Sequence, residues 1–184
     1  MEPIRLQTPL NVEDTAKLRA GQTCLINGII YTARDSAHKR LVQLLEKGEE
    51  LPFDPRGQLI YYVGPCPAPP GKVIGSAGPT TSVRMDVYTP ALLEVGVRGV
   101  IGKGDRSQQV VQALMDNKAV YFAAIGGAGA LIAKSVIQAE VIAFPDLGPE
   151  AVHRLEVKDM PAVVVIDSLG QNFYNLGRKE YSKR

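Results

Sequence analysis

The sequence predicts a mixed α/β fold built on a partly parallel sheet. Two features carry that expectation. Across residues 23–33, Ile, Leu and Thr surround Asn27-Gly28, a dipeptide that favours tight hairpin turns. From Leu59 onward, short apolar runs alternate with stretches of helical period, the pattern that lays helices on a sheet. At 184 residues the chain suits one domain, spanning 1–184, with a single sizeable core.

The elements follow in order. Asn11 with Asp14 opens a short helix that ends near Gly21. Residues 23–33 read as two short antiparallel strands turning at Asn27-Gly28. Residues 36–47 form a helix, with Ala37, Leu41, Leu44 and Leu45 on one face and Gly48 as its stop. Residues 59–63 are a buried strand. Residues 64–71 carry four prolines and make a rigid loop inside the domain. Thr89-Pro90, read as cap and first-turn proline, starts a helix that ends at Gly96. Val100-Ile101 is a short strand that delivers Lys103. Residues 107–117 are a helix with Val110, Val111, Leu114 and Met115 on its apolar face, and 119–124 a strand. Gly126-Gly127-Ala128-Gly129 leads into an apolar helix reaching about Val136. Strands at 139–144 and 162–166 complete the pattern, and a basic tail occupies about 176–184.

Composition narrows the partners. Hydrophobic content of 45% with 22% charged residues is ordinary for a soluble globular chain. A net charge of +2 gives no electrostatic footprint for nucleic acid. No apolar stretch approaches the ~20 residues of a membrane span, and the N-terminus lacks the pattern of a signal peptide. A cytoplasmic location is the expectation. The 2 cysteines, Cys24 and Cys66, are too few and too far apart for a zinc site or a C-x-x-C pair. Cys24 reads as a small buried hydrophobe and Cys66 as a free thiol in the proline loop.

The densest chemistry lies in Gly78-Pro79-Thr80-Thr81-Ser82-Val83-Arg84-Met85-Asp86. Its hydroxyls suit the free N–H groups of a helix start. Thr80 and Arg84 share a face if the helix begins here, a good setting for an anionic oxygen. Asp86 either holds Arg84 or faces solvent. Arg34 precedes a second helix start at Asp35-Ser36, where a guanidinium and a helix N-terminus suit a carboxylate; the alternative is an Arg34–Asp35 surface pair. Lys103 stands between Gly102 and Gly104 at a strand end, where ligands bind in open α/β sheets; the alternative is a turn lysine. His38 and His153 lack recognisable partners and read as structural. The glycine-rich segments are not phosphate loops. Val73 stands where Ser or Thr should follow Lys72, and Ile132 where a third glycine is needed.

Three blocks in one order carry a resemblance: Tyr31-Thr32-Ala33-Arg34-Asp35-Ser36-Ala37-His38-Lys39-Arg40, the run from Gly78 to Asp86, and Ile101-Gly102-Lys103-Gly104. Together they resemble the β subunit, or C-terminal domain, of the class I iron–sulfur fumarate and tartrate dehydratases, over about residues 6–174. The resemblance implies a swivelling β/β/α domain. It implies a hydro-lyase that adds or removes water across a double bond flanked by carboxylates, fumarate/(S)-malate first and L-tartrate as the alternative. It assigns Thr80 to catalysis and substrate binding, and Arg34, Arg84 and Lys103 to substrate binding. It also implies a 4Fe–4S cluster. Such clusters take several thiolates, more than this chain supplies, so the cluster falls to a partner α subunit and this chain holds no metal. The expected assembly is a heterotetramer of two α and two β, with the active site at the subunit interface. The rival reading is a non-catalytic module that binds dicarboxylates through the same cations.

Overall fold

A computed structural model describes residues 2–124 and 129–181. Strand β1 (Ile4–Gln7) leads to helix α1 (Val12–Lys17), which Asn11 and Asp14 cap reciprocally: Asp14 N–H donates to Asn11 Oδ1 at 2.8 Å and Asn11 N–H to Asp14 Oδ2 at 2.9 Å. Then come β2 (Thr23–Thr32), α2 (Asp35–Glu46), β3 (Leu59–Tyr61), α3 (Thr89–Glu94), β4 (Gly99–Gly102), α4 (Gln108–Asp116) and β5 (Val120–Ala123). The C-terminal part holds α5 (Gly129–Ser135), β6 (Val136–Ala143), β7 (Val152–Ile166) and α6 (Phe173–Tyr181). Short 3₁₀ stretches occupy Ser82–Met85 and Pro145–Glu150.

The strands lie in the order β1-β2-β3-β4-β5-β7-β6, with β1 to β5 parallel. Strand β7 runs antiparallel to β5 and β6 and also pairs with β2, which closes the sheet on itself. Alternation along each strand then makes two cores. Leu59, Tyr61, Val120, Phe122, Leu155 and Val164 face inward, strand layer against strand layer. Ile60, Tyr62, Val100 and Tyr121 face out, under Leu41 of α2, Leu92 and Leu93 of α3, and Val110 and Leu114 of α4. The result is the layered β/β/α arrangement and the mixed, partly parallel sheet that were expected.

Several local expectations are corrected. Residues 23–32 are one strand, not a hairpin, because β1 and β7 take its backbone groups from both sides. Asn27-Gly28 instead faces a bulge in β7: Ile26 pairs with Met160 and Gly28 with Val157, so Asn27 alone stands opposite Lys158 and Asp159. The register against β7 shifts between Ile26 and Gly28, and Asn27 Oδ1 accepts from Asp159 N–H at 2.9 Å. Gly28 has φ +97°, and a Cβ there would sit 2.6 Å from Thr8 Oγ1. Strand β6 begins at Val136, where the sequence reading ends a helix, and β7 begins at Val152, ten residues before the expected strand at 162. The basic segment is partly helical, as α6. Gly126-Gly127-Ala128 lies outside the described residues. Thr89 is the first residue of α3 rather than its cap, and its hydroxyl donates to Met85 O at 2.9 Å. Cys24 is buried and Cys66 exposed, both free. No helix among the described residues is long and apolar enough to cross a membrane.

Candidate functional site

Parallel pairing brings the C-terminal ends of β2, β3 and β4 to one edge, and each end hands over a residue of interest. Thr32 leads to Arg34, Tyr61 to Tyr62, and Gly102 to Lys103. The segment carrying Thr80 and Arg84 returns across this edge. Thr80 N–H donates to Tyr62 O at 2.7 Å, and Ser82 N–H donates to Lys103 O at 2.9 Å. Thr81 bridges Lys103 in parallel register. All four predicted site residues therefore belong to one strand-end surface, where ligands of α/β sheets bind.

Thr80 and Thr81 do not cap a helix. The 3₁₀ turn begins at Ser82, and Thr81 precedes it with no side-chain cap bond. The buried hydroxyl is that of Ser82, which accepts from Lys103 N–H at 3.0 Å and pairs with Tyr121 OH at 3.0 Å. Gly102 makes room for it: a Cβ at position 102 would lie 2.0 Å from Ser82 Oγ. The glycine before Lys103 thus serves strand-to-loop contact rather than ligand approach. Thr80 is half-buried, and its hydroxyl makes no hydrogen bond among the described residues.

The two arginines are already ion-paired within the chain. Arg84 Nε donates to Asp35 Oδ1 at 2.9 Å, and Nη2 lies 2.9 Å from Oδ2, close enough for ion pairing. Arg34 Nη2 lies 3.4 Å from Glu150 Oε1 and 3.9 Å from Asp35 Oδ2. Glu150 Oε2 also accepts from Ser36 N–H at 3.2 Å, so a carboxylate does occupy the start of α2, supplied by the chain itself. The Arg34 side chain remains 24% exposed. Asp86 holds a different arginine from the one expected. It accepts from Arg106 Nε at 2.7 Å and from Ser107 N–H at 2.6 Å, all beneath the surface.

His38 is structural, as expected, but its setting has a consequence. It is fully buried, and Nδ1 faces Arg34 O at 2.9 Å; a carbonyl only accepts, so Nδ1 carries the proton. Burial lowers its pKa from 6.5 to about 4. A histidine depressed in this way is protonated more readily in the unfolded chain. Its contribution to stability is complete above about pH 6.5 and is lost as the pH falls toward 4, by up to ~3 kcal/mol. Denaturant midpoints measured between pH 7 and 4 should fall on this account. His38→Gln should flatten the slope, leaving the share of His153, whose pKa is also lowered by burial. An unchanged slope in the variant would remove His38 as the cause.

The donor set does not suit an iron–sulfur cluster. Cys24 is sealed in the core with its thiol pKa pushed up to about 11, Cys66 is exposed elsewhere, and no group of three or more His, Cys, Asp or Glu is placed to hold a metal among the described residues. A cavity of about 440 Å³ lined by Lys72, Ser76, Ala130 and Lys134 shares no residue with the strand-end surface.

Fold and surface together define a layered β/β/α module with a cationic strand-end edge. Residues 1–177 match the family described as Fumarase C-terminus, and the chain belongs to that family. It is 40% identical over 157 residues to fumarate hydratase 2 of Leishmania major, covering 84% of this chain and 28% of that protein. It is 40% identical over 151 residues to the anaerobic class I fumarate hydratase of Escherichia coli strain K12, covering 81% of this chain and 28% of that one. A Methanocaldococcus jannaschii protein provisionally named L(+)-tartrate dehydratase subunit beta is 39% identical over 181 residues, covering 95% of this chain and 93% of its own. The chain thus spans little more than a quarter of the fumarate hydratases and nearly the whole of the tartrate dehydratase subunit.

The sequence reading did not find Arg106, Tyr62 or Tyr121. A lone arginine between Asp105 and Ser107 carries no local pattern. Only the fold brings it to Asp86.

Proposed function

We propose that this chain is the β-type subunit of a hydro-lyase that reversibly adds water to a dicarboxylate, fumarate/(S)-malate before all others. The observation that carries the reading is the meeting of Arg34, Thr80, Arg84 and Lys103 at one strand-end edge in a chain of this family. Arg34, Arg84 and Lys103 hold the two carboxylates. Arg84 is turned by Asp35, so it offers the substrate the donors that Asp35 leaves open. Thr80, with an unengaged hydroxyl among these cations, moves the proton at carbon. A threonine is a weak base in water, and the surrounding positive charge stabilises its ionised form.

The hydroxide that leaves requires Lewis-acid help. No step is assigned to this chain for it, since its thiols do not suit a cluster. The 4Fe–4S cluster of this reading belongs to a partner α subunit in a heterotetramer of two α and two β, in the cytoplasm. L-Tartrate is the second reading, favoured by the nearly full-length match to the tartrate dehydratase subunit. A non-catalytic dicarboxylate-binding module is the reading left if no activity is found.

The test is co-expression with the α-type companion, anaerobic reconstitution, and assay against a panel of dicarboxylates. Activity on none of them, with the cluster present, would defeat the proposal. In the active assembly, Cys24→Ser with Cys66→Ser should leave the iron content and cluster absorbance unchanged. Arg34→Ala, Arg84→Ala and Lys103→Ala should each lower kcat/KM about tenfold to a hundredfold or more, since a bond to a charged group contributes roughly 1.5–3 kcal/mol. Arg84→Lys should be impaired as well, because an ammonium cannot engage Asp35 through two nitrogens and still face the substrate. Wild-type kinetics in all of these variants would exclude the pocket.

A further inference from the structure

We propose that Arg106 is a positioning residue: buried beneath the strand-end loops, it sets where Thr80 and Arg84 stand relative to Lys103. The inference rests on the reading of those three residues as substrate contacts.

The Arg106 side chain is 0% exposed and that of Asp86 9%. A buried ion pair is a weak source of stability, because an apolar pair of like volume packs as well. What it supplies here is direction. Asp86 closes the 3₁₀ turn that carries Arg84, and Arg106 follows Lys103 on the loop leaving β4. One Asp86 oxygen takes Arg106 Nε, and the other takes Ser107 N–H at the start of α4. Arg106 Nη2 donates to Thr89 Oγ1 at 2.8 Å, which ties the same guanidinium to the first residue of α3. Its plane is trapped between rings, with Cζ 5.3 Å from the Tyr62 centroid and 5.0 Å from that of Tyr121. Those tyrosines are the neighbours of the site from below: Tyr62 O receives Thr80 N–H, and Tyr121 OH pairs with Ser82 Oγ.

The loop bearing Thr80 and Arg84 is therefore pinned twice to the loop bearing Lys103. Ser82 and Lys103 exchange contacts at the near end, and Asp86 with Arg106 and Ser107 fix the far end. Arg106 Nη1 is buried without an acceptor among the described residues.

Amide hydrogen exchange on the whole chain tests this without reference to catalysis. Arg106→Met should raise exchange in residues 80–87 and 102–108 by tenfold or more and leave β3 and β5 unchanged. In the assembled enzyme it should raise KM for the dicarboxylate by tenfold or more. Arg106→Lys, which keeps a charge for Asp86 but loses the second arm to Thr89, should give a smaller rise in both. Exchange that rises evenly over the strands, or does not change in the two loops, would overturn the proposal, and so would a wild-type KM. If Arg106→Met fails to fold, Arg106→Lys carries the same comparison. If the wild-type assembly shows no hydro-lyase activity, the functional reading fails separately, and the exchange pattern still decides whether Arg106 orders the loops.

Discussion

Thr80→Val is expected to lower kcat of the assembled enzyme by about 10²- to 10⁴-fold, the usual span of general acid–base catalysis. Valine keeps the shape and the backbone bond from Thr80 N–H to Tyr62 O, so the loop stays in place. The Thr80 hydroxyl makes no hydrogen bond among the described residues, so its removal leaves no buried partner there unsatisfied. The melting temperature should therefore hold while turnover collapses. Thr81→Val is the control. Thr81 is exposed and caps nothing, so both rate and stability should stay close to wild type, within about 0.5 kcal/mol. A Thr80→Val enzyme with nearly normal kcat would move the proton-transfer group to the other subunit.

Gly102→Ala should be the most damaging small change to the fold near the site. The added methyl would stand 2.0 Å from Ser82 Oγ and 2.9 Å from Tyr62 Cδ2. Ser82 has no freedom to retreat, because its oxygen is bound to Lys103 N–H and Tyr121 OH. Overpacking of a tight core costs about 1–3 kcal/mol and sometimes more, which for a chain of this size lowers Tm by roughly 2–12 °C. Separation of the two loops should also cost activity, by at least about tenfold. Adding Ser82→Ala removes the obstructing oxygen and leaves the Ser82 Cβ at 3.3 Å, so the double variant should regain part of the lost stability. Calorimetry of the single and double variants decides the point. Equal Tm values would mean that the clash lies elsewhere.

How much of this was legible depended on range. Helix α2 was expected at 36–47 and spans Asp35–Glu46, and α4 was expected at 107–117 and spans Gln108–Asp116; both announce themselves by local period and caps. Arg34, Thr80, Arg84 and Lys103 could be singled out as candidates because each sits in a short motif at an element end. The readings that failed needed knowledge of distant partners. Asn27-Gly28 is a good turn signal until β1 and β7 flank it, and then it runs on within β2, opposite a bulge in β7. Asp86 has an obvious neighbour in Arg84, yet Arg106 takes it, while Asp35 takes Arg84. Local spacing proposes ion pairs, and burial selects among them.

The closure of the sheet by β7 bears on how the chain comes to exist. Strand β7 mates with β2, near the other end of the chain, and with β5 and β6 on its opposite side. Contacts between such remote segments carry a heavy loop-closure cost and slow the search for the native state. During synthesis, every strand that bears a site residue leaves the ribosome before the one that seals them. Until then the edges of β2 and β5 stay bare, the condition in which strands of different molecules find one another. The interval between the emergence of Ala123 and that of Ile166 is thus the one in which a chaperone, or the early arrival of a companion subunit, has most to offer.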